Sequence, residues 1–355
     1  MEGINLSKQC KFTSDSKQME RDVKIDILRG FAATIVVFFH VLQHFEGESN
    51  SVVYNIIFSI QMPLFMMISG YTRVYSKPIN SFSVYWNHMQ KRTRSLLLPW
   101  LSWSILAYVF LSHLTFFEHV KMAAFKMEVA FWFLFSLYTL NFLFSTSEYF
   151  VYSISRKCKF NIVPLLGILL FFVMGILSLL LLGLKVGITF LAIKYTVYYS
   201  IFYVLGVFIG KVRNGILWEE LKTVRDFTFF FLLVFYSIMI SKYNLPQMPD
   251  HSISIVIRLI ISLSICYVCF EVIDRVKING TVIMNLLKKA GNVSLEMYVV
   301  HLLVVKMFIG GGIDITTATG FSVAIVYFII VLLITATIIG IVNLGKFSKL
   351  ILFGK

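Results

Sequence analysis

Long apolar runs fill most of this chain, and short polar segments rich in lysine and arginine separate them. A helix needs about 20 apolar residues to cross the hydrocarbon layer of a bilayer. The pattern predicts about ten spanning helices, placed at residues 26–45, 52–73, 95–113, 129–147, 162–183, 188–210, 226–241, 253–273, 290–309 and 321–344. We therefore expect an all-α, polytopic integral membrane protein with a tail at 1–24, a membrane domain at 25–345 and a second tail at 346–355.

Composition excludes an ordinary soluble domain, because 58% of the 355 residues are hydrophobic and only 14% are charged. Most of the 32 lysine and arginine residues fall in alternate loops and in the two tails. The positive-inside rule then predicts that both termini are cytoplasmic. The net charge of +14 is explained by these loops facing anionic lipid, so no nucleic-acid partner is expected. The first twenty residues have no apolar core and predict a cytoplasmic tail rather than a cleaved signal.

The segment from Asp26 to His40 places ionisable side chains in the first spanning helix. His40 follows Arg29 by eleven positions, which is about three turns and about 16 Å, so both lie on one stripe. Asp26 falls within about 60° of that stripe. Ionisable groups in a spanning helix usually face a wet interior and mark a functional path. The alternative is an edge arginine that reaches the headgroups and a histidine bonded to a neighbouring helix.

Two further features predict a binding site. Helix two carries Gln61 and Ser69 around Pro63, whose missing N–H frees a carbonyl that a substrate cavity can use; a kinked packing helix is the alternative. Before helix three, Lys91, Arg92 and Arg94 form a basic cluster. Guanidinium groups bind phosphate bidentately, so the cluster predicts capture of a phosphorylated donor, with Arg94 nearest the bilayer. Positive-inside topology alone also explains it.

Aromatic and histidine residues in later helices leave two interpretations open. Trp132 either caps an acceptor cavity or packs, and a stripe of Tyr195, Tyr199 and Tyr203 is either a sugar platform or part of an interfacial aromatic belt. His301 is either a bonded core histidine or a functional one. The cysteines form no disulfide framework or zinc pattern, and His40 with His44 is weak evidence for a metal, so no metal is expected.

The motifs occur in the order found in a known family. The sequence has DILRGFAATIVVFFH in helix one, QMPLFMMISGY in helix two, LLLPW after the basic cluster, FWFLFSLY around Trp132, FYVLGVFIGK at the end of helix six and GNVSLEMYVVH around Tyr298 and His301. It resembles the acyltransferase-3 family of bacterial membrane O-acyltransferases, in which an arginine and a histidine are separated by ten residues in helix one. Members often carry R-x-x-R before helix three, whereas this chain has Lys91 and Arg94, so Arg92 is a substitute for the first arginine.

The resemblance implies transfer of an acyl group, usually acetyl, from cytoplasmic acyl-CoA to a hydroxyl of an envelope glycan or lipid-linked saccharide in the bacterial cytoplasmic membrane. We predict His40 and Asp26 as catalytic residues, with His40 either the base for the acceptor hydroxyl or a mediator of transfer to the outer side. Arg29, Arg94, Arg92 and Lys91 are predicted to bind the donor. Gln61, Ser69, Trp132, Tyr199 and His301 are then candidates for the acceptor site. The alternative function is a transporter or export component for a glycan or lipid-linked intermediate, although only one broken helix, at Pro63, is visible where transporters usually have two.

Overall fold

The computed structural model of the protein describes residues 22–111, 115–125, 131–158, 164–213, 217–276, 281–307 and 312–355. Within these ranges the chain is nearly all helical, and the only β pairing is a single bridge between Glu46 and Asp314. The helices are α1 (Val23–Leu42), α2 (Val52–Tyr71), α3 (Phe82–Arg92), α4 (Leu98–Leu111), α5 (Phe116–Phe125), α6 (Trp132–Cys158), α7 (Pro164–Val186), α8 (Ile193–Arg213), α9 (Leu217–Glu220), α10 (Lys222–Lys242), α11 (Ser252–Arg275), α12 (Val282–Asn292), α13 (Ser294–Val305), α14 (Ala318–Leu344) and α15 (Lys346–Phe353).

Seven helices of the described chain are long and apolar enough to cross a membrane: Val23–Leu42, Val52–Tyr75, Leu165–Val186, Phe190–Arg213, Lys222–Lys242, Ser252–Arg275 and Ala318–Leu344. The prediction of an all-α, multi-pass membrane protein is therefore confirmed. Three predicted spans are not among the seven. Helix α4 has 14 residues, α13 has 12, and α6 has 27 but mixes hydroxyl and amide residues into its apolar sequence. The count of ten and the cytoplasmic location of both termini stay predictions.

Several predicted boundaries differ from the observed ones. Helix α3, a π-helical turn at Thr93–Leu97 and α4 follow one another directly, so the basic cluster lies in helix rather than in a loop. The predicted span 290–309 is divided at Val293, where φ is −115° and ψ is 23°. The predicted tail 346–355 contains α15, whose last turn accepts hydrogen bonds from α4. Residues 1–21 and the predicted boundaries at 112–113, 129–130, 162–163 and 308–309 lie outside the described residues.

Ion pairs connect four helices, α1, α8, α10 and α11, at the end of the bundle where α1 begins and α2, α8 and α11 end, which we call the basic end. Arg213 of α8 pairs with Asp274 of α11 and, at 3.1 Å, with Asp22 at the start of α1. Arg225 of α10 lies 2.9 Å from Glu271 and 3.6 Å from Asp274. Loops that the charge pattern assigns to one side of the membrane thus meet at one end of the bundle.

Helices α1 and α12 cross with their backbones in contact. A methyl group at Gly30 would lie 1.8 Å from the carbonyl oxygen of Leu287, and one at Gly291 would lie 1.9 Å from the carbonyl oxygen of Asp26. Small residues at such crossings let two membrane helices approach closely. The crossing fixes the part of α1 that carries Asp26 and Arg29, so these glycines position the candidate site as well as the bundle.

Substitution of Gly291 by alanine is expected to separate α1 from α12 and to destabilise the protein by about 1–3 kcal/mol, because the contact is with rigid backbone. The measurement is thermal unfolding of the purified protein in detergent. Gly340→Ala in α14 is the matched control, since its methyl group would meet nothing within 4 Å, and alanine there favours the helix by up to about 1 kcal/mol. Equal melting temperatures for the two variants would contradict the close crossing.

Candidate active site

His40 heads a short hydrogen-bonded chain near the end of α1. Its Nδ1 lies 2.8 Å from Oε1 of Gln43, and Nε2 of Gln43 donates to the hydroxyl of Tyr54 at 3.2 Å. Because the amide nitrogen of Gln43 donates to Tyr54, the atom of Gln43 that faces His40 is its amide oxygen, which can only accept a hydrogen bond. We therefore assign the ring proton of His40 to Nδ1. Nε2 of His40 then carries the lone pair. This arrangement is the one a general base requires, with one ring nitrogen held and the other free to accept a proton.

His301 of α13 lies beside His40, with the two ring centroids 5.2 Å apart. Its Nδ1 donates to the Met297 carbonyl oxygen at 2.7 Å, while its buried Nε2 has no hydrogen-bond partner. A buried polar atom without a partner is uncommon and costs stability. The structure therefore brings together two histidines from distant segments, each with Nδ1 engaged. Of the two interpretations of His301, the satisfied core histidine does not account for the unpartnered Nε2.

The other end of the predicted stripe lies at the basic end of the bundle. Asp26 is buried, and its Oδ1 is 3.5 Å from Nη1 of Arg29, whose side chain is 25% exposed. Since α1 is continuous, Arg29 and Asp26 lie about 16 Å and about 21 Å along the axis from His40. Asp26 is thus too far away to bond to the imidazole of His40. It pairs with the arginine instead.

Aromatic side chains form a wall that runs away from the histidine pair. The ring centroid of Tyr298 lies 6.0 Å from that of His301, and the ring centroid of Phe133 lies 5.1 Å from that of Tyr298. The next residue, Trp132, stacks on Tyr195 at 4.2 Å and on Tyr199 at 5.4 Å. Tyr195 and Tyr199 therefore face Trp132. Tyr203, the third residue of the predicted stripe, is fully buried and donates to Asn141, so the stripe is not one continuous platform.

Residues with left-handed backbone angles directly precede α6 and α8, the two helices that supply this aromatic stack. Phe131 has φ of +47° directly before α6, and Leu191 and Ala192 have φ of +44° and +56° directly before α8. This conformation costs about 1–3 kcal/mol for residues other than glycine and is found mostly where function requires it. It sets the directions in which Trp132 and Tyr195 leave their turns.

The two polar residues predicted in α2 differ in their surroundings. Oε1 of Gln61 is buried and has no hydrogen-bond partner, which leaves an acceptor available to a substrate. Ser69 donates to the Phe65 carbonyl oxygen of its own helix at 2.8 Å, a bond typical of packing serines in membrane helices. Helix α2 continues through Pro63 without interruption.

A basic pocket of about 980 Å³ opens at the basic end. Its described lining is Val74, Tyr75, Ser76, Lys77, Pro78, Val84, Asn87, His88, Lys91, Arg92, Arg94, Ser95 and Gly354. Lys91 and Arg94 are exposed, whereas Arg92 is half-buried, and burial lowers its pKa. The predicted basic cluster is therefore assembled in one pocket. Arg29 is not part of this described lining, but Tyr75 donates to Asp22 at 3.4 Å and so joins the pocket wall to the start of α1.

The model of the acyltransferase domain that defines the acyltransferase-3 family matches residues 22–341. The chain belongs to this acyltransferase family. The resemblance inferred from the ordered motifs is thus confirmed, and the match covers α1 through nearly all of α14. Searches of curated proteins and of solved structures gave no match. Family membership implies that this acyltransferase transfers acyl groups.

Two features of the candidate site, Gln43 as a residue and the pairing of His301 with His40, were not found by sequence reasoning. Gln43 lies three residues after His40, and this spacing on a helix is a signal that could have identified it. The partner role of His301 had no local signal, because α13 is far from α1 in the chain. No group of three metal-ligating side chains occurs in the parts of the chain that the structure describes.

Proposed function

We propose that the protein transfers an acyl group, most simply acetyl, from acyl-CoA to a hydroxyl of an envelope glycan or lipid-linked saccharide at the bacterial inner membrane. The observation that carries the proposal is the pairing of His40 with His301, whose ring centroids are 5.2 Å apart. His40 lies on α1, the helix that begins beside the basic pocket. Arg29, on the same helix as His40, lies about 16 Å from it along the axis, a distance similar to an extended pantetheine arm.

In the proposed reaction, Nε2 of His40 takes the proton of the acceptor hydroxyl as its oxygen bonds to the thioester carbonyl carbon. The carbon–sulfur bond then breaks, and the thiolate leaves with the proton as CoA-SH. The unpartnered Nε2 of His301 offers a hydrogen-bond acceptor to the protonated His40 until the thiolate takes this proton. Phosphates of the donor bind Lys91, Arg92 and Arg94, and the Trp132 wall with Gln61 contacts the acceptor.

The test uses the full-length protein reconstituted in liposomes, with labelled acetyl-CoA and envelope glycan precursors. We expect CoA-SH release together with labelled glycan. A transporter has no reason to consume the thioester, so movement of the precursor without CoA-SH release would contradict the proposal and favour transport.

The basic pocket supplies a separate prediction. Arg94→Gln is expected to raise the KM for acetyl-CoA about twofold to fivefold, because exposed ion pairs contribute about 0.2–1 kcal/mol, while kcat changes little. Lys185→Gln, an exposed cation at the opposite end of the bundle, is the control and should leave KM unchanged. An unchanged KM in Arg94→Gln at low salt would place the donor elsewhere.

A further inference from the structure

His88 lines the basic pocket, and the catalytic proposal does not use it. It lies on α3, and its Nε2 is buried without a hydrogen-bond partner among the described residues. Burial lowers the pKa of His88 to about 4, with further contributions from Arg92, Arg73 and Lys91. The imidazole is therefore neutral at physiological pH. An unpartnered buried nitrogen costs stability, which suggests that a partner arrives with a ligand.

Positive charge surrounds His88 from several elements. The charged groups are Arg73 and Lys77 after α2, Lys91 and Arg92 on α3 itself, Arg94 on the π-helical turn, and Glu148 on α6. Glu148 is already paired with Arg73, and the described pocket lining contains no carboxylate. The pocket thus has an excess of positive charge that a polyanion would neutralise.

We propose that His88 is a ligand-binding residue, which takes up a proton from solvent when a phosphate-bearing molecule fills the basic pocket and then donates from Nε2 to a phosphate oxygen. The proposal rests on the proposed function in taking the CoA donor as that molecule. Phosphate charge cancels the cations that disfavour imidazolium, and a phosphate oxygen supplies the acceptor that Nε2 lacks. Both changes favour the charged form of the ring.

The direction of the pH dependence follows from linkage. His88 has a higher pKa in the bound protein than in the free protein, whose value is about 4. Affinity is therefore independent of pH above the bound pKa and rises by up to about tenfold per unit below it. The affinity levels off once the pH falls below the pKa of His88 in the free protein, about 4.

The experiment is calorimetric titration of the full-length protein in detergent with CoA, dephospho-CoA and sulfate, in buffers of different ionisation enthalpy. Dephospho-CoA and sulfate have no phosphate or sulfate group that titrates between about pH 5 and 8, so proton uptake then reports the protein.

We expect proton uptake that increases from pH 7.5 to pH 5.5 and an affinity gain of severalfold per pH unit. His88→Gln should bind without uptake and with a flat pH profile, and its melting curve checks folding. His251→Gln, at the opposite end of α11 from the basic end, should behave like the wild type.

The outcomes separate the two proposals. Binding of dephospho-CoA with the same uptake in His88→Gln, or with no uptake in the wild type, overturns the role of His88 and leaves the donor pocket intact. Proton uptake on sulfate binding, with no binding of CoA, supports the proposed role of His88 and contradicts the proposal that the pocket binds the CoA donor. No binding of any probe contradicts both.

Discussion

Replacement of His40 by alanine is expected to lower kcat for acyl transfer by about 10²- to 10⁴-fold, the range typical for loss of a general base. The physical reason is the geometry at the end of α1. Gln43 holds Nδ1 of His40 at 2.8 Å, which leaves Nε2 as the atom that accepts the proton. The measurement is CoA-SH release at saturating donor and acceptor, with KM for acetyl-CoA changed little because the phosphates bind elsewhere.

His44→Ala is the matched control, since this histidine lies one turn beyond His40. Burial, with a smaller contribution from Lys306, lowers the pKa of His44, but it is not the residue bonded to Gln43. It should retain most of the activity. If His40 and His301 act as a unit, the double alanine variant loses no more activity than His40→Ala alone. Near-normal transfer by His40→Ala would remove the general base from the proposal.

Loss of the Arg73–Glu148 ion pair is expected to have the largest effect on stability. The two side chains are 5% and 11% exposed. Arg73→Met leaves the carboxylate of Glu148 buried without its cation, which costs about 3–5 kcal/mol. The expected result is a strongly lowered melting temperature in detergent, or protein that cannot be recovered folded.

Two variants make this prediction specific. Arg73→Met combined with Glu148→Gln removes both charges, and we expect it to recover much of the lost stability, because apolar or neutral replacement of a buried pair is often tolerated. Lys194→Met breaks an exposed pair with Asp250, whose side chains are 40% and 56% exposed. It should cost less than about 1 kcal/mol. Equal losses for Arg73→Met and Lys194→Met would show that burial does not set the cost.

Sequence reasoning predicted those features that depend on local periodicity. Helix α1, its stripe of Arg29 and His40, and the clustering of Lys91, Arg92 and Arg94 follow from spacing within one helix. The helical class and the family were likewise predicted, since apolar run lengths and motif order are properties of the linear chain.

The features that were missed depend on contacts between distant segments or on backbone angles. The pairing of His40 with His301 joins α1 to α13, and no spacing rule reports it. The left-handed φ of Phe131 and Leu191 occurs at bulky residues, which give no sign of it in sequence. The divided helix at Val293 and the continuous path from α3 to α4 were missed because hydropathy locates apolar runs but not helix ends.

The crossing of Gly30 and Gly291 also has a mechanical consequence. Where the two backbones touch, no side chain lies between them that could slide or change rotamer, so we expect α1 and α12 to move together. Any opening that admits an acceptor to His40 must leave this pair intact and displace other elements instead. The left-handed residues before α6 and α8 adjoin the aromatic wall and lie outside this pair. We therefore expect α1, which carries His40, to stay fixed while elements on the aromatic side move.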